Sequence, residues 1–93
     1  MRIGLIGTGN MGGAILRGYT GAHPDQAGNC FIYDLNADAA KTLQSLTGAV
    51  IAASVAQVVQ EADLTIIAVK PYHYDDVLPL IAACDLAGKT IMT

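Results

Sequence analysis

Three features of the 93-residue chain point to an α/β protein with one parallel sheet and helices on both faces. Strand-like apolar runs alternate with helix-like periodicities, as crossover connections between parallel strands require. The first run ends in a cluster of glycines that opens a helix. Residues 64–69 (LTIIAV) are almost wholly apolar and rich in β-branched side chains, the pattern of a strand buried on both faces. With right-handed crossovers and a glycine-rich first turn, the favoured arrangement is a Rossmann-like sheet of order 3-2-1-4-5.

Each element follows in turn. Residues 2–7 (RIGLIG) are a short apolar run stopped by glycine and read as the first strand. From Met11 the period changes: Met11, Ala14, Ile15 and Gly18 follow i, i+3, i+4, i+7, which predicts the core stripe of a helix. Residues 21–29 form a turn-rich connection, and residues 30–33 (CFIY) a second strand closed by Asp34. Ala39, Leu43 and Leu46 share a helical stripe that Gly48 ends, and residues 49–52 give a short third strand. Ser54 opens a capping box with Gln57, and Val55, Val58, Val59 and Ala62 form the stripe behind it. After the strand at 64–69, Val77, Leu80, Ile81 and Cys84 mark a fourth helix. Proline is tolerated only in the first turn, so Pro79 places the start of that helix near Asp75 or Asp76. Gly88 follows its end, and residues 90–93 begin a fifth strand, in which the chain stops. Residues 1–93 thus read as a single domain, the first part of a longer protein.

Composition narrows the function. Hydrophobic residues make up 53% of the chain and charged residues 14%, against about 25% charged in an average soluble domain. That excludes a disordered chain and suggests that part of the surface is covered by another domain or subunit. The net charge of −3 argues against a nucleic-acid partner, which needs a basic face. No apolar run approaches the ~20 residues of a membrane span, and no signal peptide is visible, so a cytoplasmic location is the default. Cys30 and Cys84 lie far apart. One disulfide is arithmetically possible; two buried free thiols are the expectation. No cluster has metal-ligand spacing, and no nucleophile–base pair stands out, so no residue is assigned a catalytic role.

In such a sheet, ligands bind outside the carboxyl ends of the strands. The loops there carry Thr8, Asn10, Asp34, Asn36, Ser54 and residues 70–76, whereas His23, Asp25, Asp63 and Asp85 fall at the opposite edge and are expected to be structural. Gly7-Thr8-Gly9-Asn10-Met11-Gly12 is a G-x-G-x-x-G between strand and helix. Gly7 permits the tight turn, Gly9 lets a pyrophosphate approach bare backbone, and Gly12 lets helix and strand pack closely. The free N–H groups and the positive end of the helix dipole then receive a dinucleotide diphosphate. The plainer alternative is a turn that serves packing only. Asp34 closes the second strand about 20 residues further on, where an acidic residue accepts from the adenosine ribose hydroxyls. It would disfavour a 2′-phosphate by on the order of 1 kcal/mol or more, which points to NADH over NADPH. A turn or cap aspartate is the alternative. No arginine follows to hold a phosphate, and the next cation, Lys41, falls inside a helix. Val69, Lys70 and Pro71 end the fourth strand, where the nicotinamide half would pass, although the Lys70 side chain reads equally well as an exposed strand end. His73 reads as a loop histidine, with an acid–base group as the alternative, and Asp75 and Asp76 as helix caps rather than a carboxylate pair.

The residues Ile3-Gly4-Leu5-Ile6-Gly7-Thr8-Gly9-Asn10-Met11-Gly12, then Ala14-Ile15 and Arg17-Gly18, resemble the start of pyrroline-5-carboxylate reductases. The resemblance continues at Ala62-Asp63, at Ala68-Val69-Lys70-Pro71 and at Val77-Leu78. It implies an enzyme that reduces 1-pyrroline-5-carboxylate to L-proline with NAD(P)H, in proline biosynthesis. In that family Ile6, Gly7, Thr8, Gly9, Asn10 and Met11 would line the diphosphate, and Ala68, Val69, Lys70 and Pro71 the nicotinamide side. The residue at Asp34 or just beyond would select the cofactor. A further helical domain would form a homo-oligomer and supply most of the substrate pocket. Two positions depart from the family. Asp34 stands where members often carry a small or hydroxyl-bearing residue, and Ser54-Val55 where many carry asparagine. Other readings are a related reductase, such as a hydroxyacid dehydrogenase or a deazaflavin-dependent NADP reductase, and a non-catalytic nucleotide-sensing domain.

Overall fold

The computed structural model describes residues 2–8, 10–68, 74–82 and 88–92. Its elements run β1 (Ile3–Ile6), α1 (Asn10–Ala22), a 3-10 helix (Pro24–Asn29), β2 (Cys30–Tyr33), α2 (Ala37–Thr47), β3 (Val50–Ile51), α3 (Val55–Glu61), β4 (Leu64–Ile67), α4 (Tyr74–Ala82) and β5 (Thr90–Met92). The five strands form one parallel sheet in the order β3-β2-β1-β4-β5, as the sequence predicts.

Alternation along the strands sorts the core into two layers. Ile3, Leu5, Ile32 and Ile66 meet Leu16 of α1 and Leu43 of α2 on one face. Ile6 and Ile67 meet Val55, Val58 and Val59 of α3 and Val77 and Ile81 of α4 on the other. The α3 stripe is buried as predicted; Val58 and Val59 are fully enclosed, each contributing about 1.5–3 kcal/mol. Their seat is β1 itself. A Cβ on Gly4 would lie 2.5 Å from Val58 Cγ1 and 2.9 Å from Ala62 Cβ, so only glycine lets α3 sit this close. The predicted cap is formed in part: Gln57 N donates to Ser54 Oγ (3.1 Å), but Gln57 Oε1 accepts from Ala53 N (2.6 Å), one residue before the N-cap, and not from Ser54 N as a full capping box would have it. Gly48 ends α2 with φ 78°, the left-handed conformation that favours glycine.

Three other helix readings are corrected. Among the described side-chain positions of α1 the buried ones are Gly12, Gly13, Leu16 and Thr20, while Ala14, Ile15 and Gly18 are exposed; the Met11 side chain lies outside them. The helix is turned because Gly12 is its closest seat on the sheet, and glycines and a threonine carry no hydropathy signal. The Thr20 hydroxyl is satisfied internally, donating to Leu16 O (3.0 Å). In α2 the inward residues are Ala40, Leu43 and Thr47 rather than Ala39 and Leu46; Leu46 is 62% exposed. In α4, Val77 and Ile81 are buried but Leu80 is exposed; Cys84 lies outside the described residues. That helix starts at Tyr74, so Pro79 falls in its second turn and Asp75 and Asp76 lie inside it rather than capping it. Pro79 itself is exposed. The connection at 21–29 is also more regular than predicted: α1 runs on to Ala22 and a 3-10 helix follows.

Candidate functional site

The carboxyl edge of the sheet is assembled at β1, between β2 and β4. Ile6 is buried at the end of β1, and its carbonyl accepts from Ala68 N (2.8 Å), which carries the β1–β4 ladder one residue past β4. On the other side Gly7 N donates to Tyr33 O (2.8 Å). Gly7 then turns the chain with φ 90°, a conformation costly for any residue with a Cβ. Asn10 and Met11 are the first two residues of α1. No acidic residue stands in the first turn of α1 to offset its positive end.

Gly12 brings that helix end against the sheet. A Cβ there would lie 2.8 Å from Ala68 Cβ, 3.0 Å from Gly7 O and 3.1 Å from Leu5 Cδ1. No side chain fits, so the reason given for Gly12 from sequence holds in the geometry. A Cβ on Gly13 would meet only Thr8 O at 3.7 Å and Leu43 Cδ1 at 3.8 Å, ordinary contacts.

Asp34, half-buried just past β2, takes part in both sides of this edge. Its Oδ2 accepts from Thr8 N (2.7 Å) and from Thr8 Oγ1 (2.8 Å). Its Oδ1 accepts from Asn36 N (2.8 Å). The aspartate is therefore a turn residue, one of the two sequence readings, but it is also a strut to the glycine-rich loop. Asn36 is the cap of α2, its Oδ1 accepting from Asp38 N (3.0 Å) and Ala39 N (3.2 Å). Between them Leu35 is 67% exposed. No cationic side chain belongs to this turn.

A groove of about 290 Å³ runs beside the loop between α1 and α2, lined by Thr8, Gly13, Arg17, Thr42 and Leu46 among others. It accounts for the Leu46 stripe residue that the core does not use. Arg17 lies along α1, with Nε donating to Gly13 O (3.4 Å). Arg17 is thus the cation of the groove and does not belong to the turn after Asp34; no spacing rule announces its place.

Of the sequence-predicted site residues, Ile6, Gly7, Thr8, Asn10, Met11, Gly12, Asp34 and Ala68 converge on this edge. Gly9, Val69, Lys70 and Pro71 lie outside the described residues, as does His73. The residues assigned to the opposite edge behave structurally: Asp63 Oδ2 accepts from Arg2 N (2.9 Å), Asp25 from Gln26 Nε2 (3.3 Å), and the exposed His23 ring lies 5.1 Å from Tyr19. Asp85 lies outside the described residues. Cys30 is buried and free, its thiol donating to Gln26 O (3.4 Å), and burial pushes the thiol above its ordinary range. Among the described residues there is no metal-binding cluster, and no helix is long and apolar enough to cross a membrane.

Known proteins share this arrangement. A Plasmodium falciparum pyrroline carboxylate reductase solved with NADP bound is 25% identical, with a TM-score of 0.80 over 98% of this chain and 32% of that one. A Mycobacterium avium 104 protein assigned as an oxidoreductase is 32% identical, with a TM-score of 0.77 over 97% of this chain and 31% of that one. An Aspergillus terreus reductive aminase in complex with NADPH and ethyl levulinate is 26% identical, with a TM-score of 0.70 over 97% of this chain and 30% of that one. The chain spans about a third of the length of these structures. No curated protein matches it. Residues 2–93 match the model of one oxidoreductase family, and the chain belongs to that family, described as NADP oxidoreductase coenzyme F420-dependent.

Proposed function

We propose that this chain is the NAD(P)H-binding domain of a reductase that converts 1-pyrroline-5-carboxylate to L-proline. The observation that carries the dinucleotide reading is the bare bend at Gly7, with the N-terminus of α1 drawn onto the sheet by Gly12. The Gly7 and Thr8 N–H groups are taken by Tyr33 O and Asp34 Oδ2, so it is the first turn of α1 and its dipole that would suit a diphosphate. Gly7, Thr8, Gly9, Asn10 and Met11 would hold it, with Ile6 beneath. The Ala68-Val69-Lys70-Pro71 segment would line the nicotinamide half. The bound cofactor supplies the hydride; the domain's part is to hold and orient it against the substrate.

The substrate assignment is supported by the Gly-Asn-Met loop and the Ala-Val-Lys-Pro strand end occurring together, and by the likeness to the Plasmodium reductase. It extends to a cytoplasmic homo-oligomer assembled through a further helical domain. Asp34 adds a preference for NADH: the turn it governs offers a 2′-phosphate a carboxylate and no cation.

The family description favours a second reading, hydride exchange between NADP and a deazaflavin. Two assays separate the cases. Calorimetry of this chain with NADH, NADPH and S-adenosylmethionine tests the cofactor; binding of the last alone would reject both reductase readings. Proline formation from 1-pyrroline-5-carboxylate by the protein that carries this domain tests the substrate, with reduction of a deazaflavin as the competing outcome. The 93-residue chain is expected to bind dinucleotide weakly and turn over nothing, so reductase activity in it would contradict the division of labour proposed here.

A further inference from the structure

The variable position of the glycine-rich loop holds an arrangement that the motif does not require. Thr8 directs two donors, its main-chain N–H and its hydroxyl, onto the same oxygen of Asp34, at 2.7 and 2.8 Å. The register explains how they meet. Ile6 pairs with Tyr33 across β1 and β2, and Gly7 N still donates to Tyr33 O. After the positive-φ turn at Gly7, Thr8 therefore arrives opposite Asp34. The other carboxylate oxygen accepts from Asn36 N at 2.8 Å, which ties it to the turn leading into α2. One carboxylate so joins the loops that follow two neighbouring strands, and three short donors fix its orientation. Bonds to an ionised acceptor are roughly twice as strong as neutral ones.

We propose that Thr8 is a cofactor-positioning residue. By fastening the glycine-rich loop to Asp34, it makes diphosphate recognition and ribose recognition a single preformed unit. The inference rests on the dinucleotide reading above and adds to it a coupling between the two ends of the adenosine diphosphate. A loop held in its bound shape beforehand loses less freedom on binding. A carboxylate held at a fixed place discriminates more sharply between a ribose hydroxyl and a 2′-phosphate than one that can swing away.

The test is a double-mutant cycle on the 93-residue chain, read by fluorescence titration with NADH and with NADPH. Thr8→Val removes the hydroxyl donor and keeps the shape; Thr8→Ala is a second removal should valine perturb folding, and Thr8→Ser restores the donor. Thr8→Val is expected to weaken NADH binding about fivefold, as suits loss of one charge-assisted bond. It should also narrow the difference between NADH and NADPH. Thr8→Ser should return both to within about twofold of the wild type. In an Asp34→Ser background, Thr8→Val should have less than about a twofold effect, because the partner is gone. A purely structural threonine would lower the thermal midpoint and leave the cofactor ratio unmoved. Unchanged NADH affinity in Thr8→Val and Thr8→Ala, or equal losses with and without Asp34, would overturn the proposal while leaving the dinucleotide reading in place. A wild-type chain that binds neither nucleotide overturns both.

Discussion

The two edges of the sheet each carry an aspartate that accepts a backbone N–H from beside β1, yet they differ in what surrounds that bond. At the amino edge, Asp63 Oδ2 accepts from Arg2 N at 2.9 Å, and Asp63 N donates back to Arg2 O at 2.8 Å. Around it are an exposed ion pair, Arg2 with Glu61, and Lys89 donating to Gln60 O. Charges of both signs meet there. At the carboxyl edge, Asp34 Oδ2 accepts from Thr8 N at 2.7 Å. The neighbours are a left-handed glycine, a glycine with no room for a Cβ and a helix start with no acid in its first turn. The same bond closes a solvated joint in one place and frames an anion-seeking bend in the other. Sheet polarity decides between them, because parallel strands put every helix N-terminus at one edge.

That contrast breaks most readily at Gly12. Gly12→Ala places a Cβ 2.8 Å from that of Ala68. Overpacking of this kind costs about 1–3 kcal/mol, and the expected loss of NADH affinity is at least tenfold. Gly13→Ala, where the Cβ has ordinary space, should instead gain up to about 1 kcal/mol from helix propensity. Thermal melts and NADH titrations of the two variants check this; equal behaviour would remove the close seat of α1 from the account. Next come the aspartates themselves. Asp34→Ser should shift the NADH-to-NADPH affinity ratio about tenfold toward NADPH, as expected when a carboxylate near a phosphate is removed. Asp63→Ser should leave that ratio alone and cost about 0.5–1.5 kcal/mol of stability. Parallel titrations and urea melts decide it, and the edges lose their distinction if Asp63→Ser moves the ratio.

Legibility in the sequence followed the same division. The strand order and the converging loops were readable because glycine spacing and β-branched runs report backbone constraints directly. The α3 stripe was readable because all four of its inward residues are apolar. The α1 stripe was not, since a face built from Gly12, Gly13, Leu16 and Thr20 is invisible to hydropathy. Pro79 misplaced the start of α4 because a solvent-facing proline can sit beyond the first turn. At the candidate site, spacing singles out Gly7, Gly12 and Asp34. The double donation from Thr8 and the entry of Arg17 into the groove depend on register and helix rotation, which no local spacing encodes.

A smaller effect comes from Cys30, which opens β2 at the amino edge. Burial raises its thiol above the ordinary value, so folding favours the protonated form. Its contribution to stability is whole below the unfolded-state pKa and is lost as pH rises through the higher folded-state value. Alkylation of Cys30 by iodoacetamide, followed by peptide mass spectrometry to separate it from Cys84, should accordingly be slow in the native chain at pH 8 and fast in urea; rapid native labelling of Cys30 would contradict the burial.

The smallest change is expected at the Arg2–Glu61 pair. Its atoms are 3.1 Å apart, but the side chains are 53% and 42% exposed, and such pairs contribute about 0.2–1 kcal/mol. Glu61→Gln should therefore lower stability by no more than that at low salt, and by nothing measurable near 1 M salt, where the Debye length is about 3 Å. The joint itself does not depend on the pair, because Asp63 holds Arg2 through its main-chain N–H, not its guanidinium. Urea melts of Glu61→Gln at the two salt concentrations separate these contributions. A loss well above 1 kcal/mol that persists in high salt would mean that the amino edge, too, is held by a desolvated charge, and the asymmetry between the edges would then have to rest on the glycines alone.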